Sequence, residues 1–199
     1  MATGSPILHI LAGPNGAGKT TLYEARVRQL AKAPFVNADQ LSSEALGRHA
    51  ESREEAELGQ SLANARRDAL MSAGESLVTE STFSHPSKLD LIRQAKALGY
   101  RVFVYHVNVE SADDAVARVA AREARGGHPV PEANIRGRYE RNQPLIREAV
   151  RMADRAFVFD NSVIGAPPRR LITFVKGQAT DVAPSLPAWV AVLYAEEIG

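Results

Sequence analysis

Residues 7–22 read ILHILAGPNGAGKTTL: an apolar β-branched run, a glycine-rich loop, then a helix-forming stretch. Gly13, Pro14, Asn15, Gly16, Ala17, Gly18, Lys19 and Thr20 match G-x-x-x-x-G-K-[ST] in full, in the strand–loop–helix setting that such a loop requires. Glycines let successive backbone N–H groups curl round phosphates where a Cβ would obstruct. The helix opening near Lys19 adds its positive dipole end. Here Lys19 reaches the β- and γ-phosphates, the Thr20 hydroxyl is placed to bind Mg²⁺, and Thr21 follows within the same cradle. The competing reading is a strand-to-helix turn that binds nothing, and a full match in this context outweighs it. The motif indicates a nucleoside triphosphate, ATP or GTP, and leaves its fate open.

Working outward, 199 residues suit one domain spanning 1–199 with a full hydrophobic core. Apolar residues make up 45% and charged residues 24%, the balance of a soluble globular chain. A net charge of +1 supplies no global field toward nucleic acid or a membrane. The absence of cysteine excludes disulfides, thiolate metal sites and a cysteine nucleophile, and agrees with the cytoplasm. The N-terminal apolar run is too short for a signal peptide, and no run approaches the roughly 20 residues that span a bilayer. The five histidines show no metal-ligand spacing, so Mg²⁺ carried in with the nucleotide is the one metal expected.

Short apolar runs alternate with amphipathic stretches. Strands are expected at Ile7 to Leu11, Phe35 to Asn37, Leu77 to Thr79, Val102 to Val107 and Ala156 to Phe159, with a sixth at Leu171 to Val175. A helix is expected from Ser52 to Ala73, with Leu58, Leu62, Ala65 and Ala69 on one face. Ser111 with Asp113 and Asp114 opens another, running to about Arg125. Such alternation predicts a three-layer α/β domain with a parallel sheet of five or six strands and crossover helices. The segment GGHPVPEANIRGRYERNQP breaks the rhythm and reads as a mobile excursion before two short helices, the second capped by Asn142 after an interruption at Pro144. PAWVAVLYAEE reads as a short closing helix, with Trp189 and Leu193 as core packing.

Hydrolysis, transfer to an acceptor, or binding alone would each use the loop. The stretch SLVTESTFSHPSK ends its strand on Glu80, followed by the hydroxyls of Ser81, Thr82 and Ser84 and by His85. A carboxylate and hydroxyls at the carboxyl end of a strand suit recognition of a polar small molecule. FVNADQLS delivers Asp39 to the end of the neighbouring strand, where a carboxylate can accept the proton of an attacking hydroxyl. Equally, Asp39 can cap the helix beginning QLSSEAL.

Phosphoryl transfer also needs charge screening and exclusion of water. Arg118, Arg122 and Arg125 share a helix face before Gly126 and Gly127, and Arg136, Arg138 and Arg141 follow. This suggests an Arg-rich lid over about 118–144, with Arg125 and Arg138 at the reacting phosphate and Arg122 on the nucleotide. A solvated basic face paired with Glu123, Glu132 and Glu140 is the alternative. Asp160-Asn161-Ser162 follows the fifth strand, where Asn161 would meet the base or simply form a turn.

Together AGPNGAGKTTL, FVNADQLS, ESTFSHPSK, RGGHPVPEANIRGRYER and FVFDNS resemble the zeta-toxin family of P-loop kinases, in its short chromosomal branch, over roughly residues 7 to 162. The resemblance implies ATP- or GTP-dependent phosphorylation of a UDP-N-acetylglucosamine-type sugar, and an antitoxin protein that blocks the nucleotide site. It implies Lys19 on the triphosphate and Asp39 as general base. Glu80 and Thr82, with Ser84 alongside, would hold the acceptor, and Arg125 and Arg138 would serve transfer. A kinase for another metabolite or a nucleic-acid end, and a nucleotide-binding module with little turnover, are the alternatives; the low net charge disfavours nucleic acid.

Overall fold

The computed structural model describes residues 4–127 and 130–199. Its centre is a seven-stranded sheet in the order β2-β3-β1-β4-β5-β6-β7. The strands are β1 Ile7–Ala12, β2 Phe35–Val36, β3 Leu77–Ser81, β4 Arg101–Asn108, β5 Arg155–Asp160, β6 Arg169–Val175 and β7 Gln178–Val182. The first five are parallel. β6 and β7 are antiparallel, so the expected parallel sheet gains an antiparallel edge. β7 escapes a search for apolar runs because its sequence, QATDV, is almost wholly exposed.

Alternation along β1 sends Leu8, Ile10 and Ala12 to one face and Leu11 to the other. The first face is covered by α4 Arg53–Ser72, α5 Lys88–Ala97, α7 Glu132–Met152 and α8 Ala188–Leu193, forming the larger core. The second is covered by a continuous helical segment: α1 Lys19–Leu22, a π turn Tyr23–Val27, and α2 Arg28–Ala31. The remaining helices are α3 Ala38–Leu46, α6 Ala112–Glu123 and α9 Ala195–Ile198. The result is the three-layer P-loop kinase fold. No helix among the described residues is long and apolar enough to cross a membrane.

Two helices differ from expectation. In α4 the buried face is Gly59, Ala63, Leu70 and Met71, while Leu58 and Leu62 are exposed together with Ala65 and Ala69. The cause is α3, which packs so closely that a Cβ on Gly59 would lie 2.4 Å from the Ala38 carbonyl oxygen. Small residues, not leucines, mark the contact face. The two short helices expected around Pro144 are one helix, α7, that runs straight through it. Pro144 and Glu140, whose carbonyl loses its donor, both face solvent. Ile135, Tyr139, Ile146, Ala149 and Val150 bury a stripe on both sides, which offsets the roughly 3 kcal/mol a proline costs in a helix interior. Asn142 accordingly lies buried within α7 and caps nothing. The excursion expected before it includes His128 and Pro129, which lie outside the described residues.

Candidate active site

β1 ends at the phosphate loop, beside the point where the chain crosses from β3's side of the sheet to β4's; crevices at such switch points hold ligands. Gly18, at φ 91°, occupies the left-handed region. A Cβ there would lie 2.1 Å from Asn161 Nδ2, and Asn161 donates from that atom to the Ala17 carbonyl at 2.9 Å. Asn161, which the sequence offered as a base contact or a turn residue, buttresses the loop from the end of β5.

Lys19 is buried and folds back on its own loop, donating to the Gly13 and Pro14 carbonyls at 3.0 Å each. Burial lowers its pKa, against the opposing pull of the Glu80 and Asp39 charges; the Arg122 charge lowers it further. Glu80 stands 3.7 Å from Lys19 Nζ and accepts a hydrogen bond from Thr20 Oγ1 at 3.3 Å. Glu80, expected to hold the acceptor, thus stands beside the phosphate loop and also lines the second cavity described below. Thr20 and Glu80 are hard oxygen donors of the type Mg²⁺ takes, and among the described residues no three acidic or histidine side chains converge. That donor set fits an ion that arrives with the triphosphate and keeps several waters.

Asp39 is an exposed first-turn residue of α3. The cap of that helix is Asn37, whose side chain accepts from the Gln40 N–H at 3.0 Å. Asp39 is thereby released from the capping role. Beyond β3 the chain turns through Phe83, fully buried with φ 53°, a conformation a bulky residue adopts only under constraint. That turn leaves Thr82 and Ser84 on the cavity wall, their hydroxyls 3.3 Å apart.

Two cavities flank these residues. One, of about 880 Å³, runs from Gly16, Gly18, Lys19, Thr20 and Thr21 past Arg118, Arg122 and Arg125 to the loop after β5. The other, of about 1160 Å³, lies between α3, α4 and the turn after β3. Asn15, Asp39, Glu80, Thr82 and Arg122 line both. The cleft at the phosphate loop and the second cavity therefore meet at two carboxylates, Asp39 and Glu80.

The arginines divide. Arg138 lines the second cavity and donates to the Asn15 side chain at 3.2 Å. Arg118 donates to the Ser162 carbonyl at 3.1 Å. Because α6 ends at Glu123, Arg125 sits in the turn beyond it instead of on the helix face, yet still lines the nucleotide cleft. Arg136 pairs with Asp113 at 2.6 Å and Glu132 at 2.8 Å, not with Glu140. Arg141 is exposed.

The model of the AAA domain family matches residues 8–145. No curated protein is similar enough in sequence to match the chain. Among solved structures, AvrRxo1-ORF1 in complex with AvrRxo1-ORF2 superposes with a TM-score of 0.71 at 18% identity, over 97% of this chain and 63% of the other. The chain thus spans less than two thirds of that protein, which has also been solved with ATP. The PezAT chromosomal toxin–antitoxin system of Streptococcus pneumoniae gives 0.61 at 16% identity, over 81% and 70%. Shikimate kinase from Acinetobacter baumannii, in complex with shikimate, gives 0.54 at 19% identity, over 82% and 87%. The expected likeness to zeta toxins is met at the level of fold.

Proposed function

Since the chain belongs to the AAA domain family, we propose that it is a P-loop kinase transferring the γ-phosphoryl group of ATP or GTP to a hydroxyl of a small molecule. The observation that carries this is the meeting of the two cavities at Asp39, Glu80 and Thr82. A hydrolase needs no second cavity of that size. The triphosphate enters the loop, displacing Lys19 Nζ from the Gly13 and Pro14 carbonyls onto the β- and γ-phosphates. Thr20 and Glu80 would hold Mg²⁺, which would supply neutralisation of the phosphate charge. The acceptor lies in the larger cavity against Thr82 and Ser84, and Asp39 takes its hydroxyl proton. Arg122, Arg125 and Arg138 screen the transferring group, with the segment 118–144 acting as the lid. A UDP-N-acetylglucosamine-type sugar is the first acceptor to try, on the zeta-toxin resemblance. An antitoxin-like partner is supported by the pairing of AvrRxo1-ORF1 with AvrRxo1-ORF2 and by the PezAT toxin–antitoxin system, and on the zeta-toxin resemblance it would cover the nucleotide cleft.

Mass spectrometry of a bacterial metabolite extract incubated with ATP, Mg²⁺ and the protein tests the reading. A hydroxylated metabolite gaining one phosphoryl group supports it. Stoichiometric ATP binding with no phosphorylated product overturns it in favour of a binding module.

A further inference from the structure

The wall of the larger cavity facing away from the phosphate loop carries two cations with no role in handling the nucleotide. Arg67 projects from α4, and Lys88 is the first residue of α5. Both are half-buried. Arg67 is held in place by Asn64 Oδ1 and by Thr79 Oγ1 at 3.4 Å, and Thr79 in turn donates to the Val36 carbonyl. Its guanidinium is thus fixed through β3 to the strand that precedes Asp39.

Neither cation takes part in an ion pair among the described residues. By contrast Arg53, which lines the same cavity, is held by Glu57 at 2.8 Å, and Arg48, between α3 and α4, by Glu55 at 2.6 Å. The two are close enough that the Arg67 charge depresses the Lys88 pKa, on top of the larger depression from burial. The Asp68 charge offsets that of Arg67 only in part, without an ion pair, and two like charges in a partly desolvated wall still raise the free energy of the empty site. An anion between them would lower it, through hydrogen bonds strengthened by charge on both partners.

We infer that the acceptor carries an anionic group of its own, a phosphate or a carboxylate, which docks on Arg67 and Lys88 while its hydroxyl faces Asp39. This rests on the kinase reading and narrows it to hydroxylated anions. Arg67 and Lys88 are then the residues that set acceptor specificity, and neutral sugars and polyols are poor substrates.

The test separates anion docking from phosphoryl transfer. With the phosphate loop saturated by a non-hydrolysable ATP analogue and Mg²⁺, the protein is titrated calorimetrically with inorganic phosphate, malonate and neutral N-acetylglucosamine. Either anion should bind, and N-acetylglucosamine should bind at least 10-fold more weakly. The Arg67→Gln/Lys88→Gln variant should lose anion binding 10-fold or more, with affinity for the ATP analogue unchanged. Phosphate binding without malonate assigns the docking group as a phosphate, and the reverse assigns a carboxylate. Anion affinity unchanged in the double variant, or in both Arg67→Lys and Lys88→Met should the double variant not fold, overturns the inference. So does binding of neither anion by the wild type. Anion binding retained in a protein that phosphorylates nothing sinks the kinase reading and leaves the anion site standing.

Discussion

Lys19 Nζ and Glu80 Oε1 stand 3.7 Å apart at the floor of the phosphate loop, and the same carboxylate accepts from Thr20. One acidic group thus touches both the cation proposed to meet the phosphates and the hydroxyl proposed to meet the metal. Glu80 partly offsets the Lys19 charge, and on the proposed mechanism it would turn to the metal ion once nucleotide is bound. Glu80→Gln should therefore raise the Mg²⁺ concentration for half-maximal turnover several-fold, with a smaller change in metal-free nucleotide affinity. Mg²⁺ titration of turnover at saturating ATP checks this, and an unshifted midpoint contradicts it.

Lys19→Ala removes the buried charge that the proposed mechanism moves onto the transferring group. Loss of one preorganised contact of that kind costs roughly 10²-fold or more in turnover. Steady-state kinetics with the identified acceptor gives the factor directly.

Gly59 lets α3 approach α4, and α3 carries Asp39. Gly59→Ala places a methyl group 2.4 Å from the Ala38 carbonyl oxygen and 2.7 Å from Ser42 Cβ. The helices must separate, at a cost of about 1–3 kcal/mol. Urea unfolding measures that loss. Because the shift displaces Asp39 more than the loop, phosphoryl transfer should fall further than ATP affinity.

His9 and His106 are buried in β1 and β4, bonded to the hydroxyls of Tyr105 and Tyr194. Burial lowers their pKa values from 6.5 to about 4 and about 3 respectively. Below pH 6.5 the unfolded chain takes up protons that the folded chain refuses. Stability is thus full above pH 6.5 and is lost as pH falls toward 4 for His9 and 3 for His106. The slope is on the order of 1 kcal/mol per pH unit for each histidine. Urea unfolding across this window should show it, and His9→Gln should reduce it; a flat profile contradicts the assignment.

The parts of this molecule written locally were legible in its sequence. The phosphate loop announces itself by spacing, and β1, β3, β4 and β5 by apolar runs that both faces of the sheet require. What depends on distant packing was not. Leu58 and Leu62 looked like a core face because leucine usually is one, yet the contact with α3 selects Gly59 and Ala63. Pro144 looked like a break because the buried stripe spanning it is a property of the packed helix. Asp39 and Glu80 were found by position after strands, but Glu80's place beside Lys19 depends on β1 and β3 being neighbours. Arg67 carried no local signal: it is one of several arginines in a charged helix, and what distinguishes it is the cavity it faces.

The most direct test of the account is the rate of γ-phosphoryl transfer by Asp39→Asn, measured beside its ATP affinity. The substitution keeps size and polarity while removing the proton-accepting charge. The account predicts transfer reduced by roughly 10²–10⁴-fold, the usual worth of a general base, with ATP affinity nearly unchanged. Transfer at the wild-type rate would contradict it, and the base would have to be sought elsewhere in the cavity.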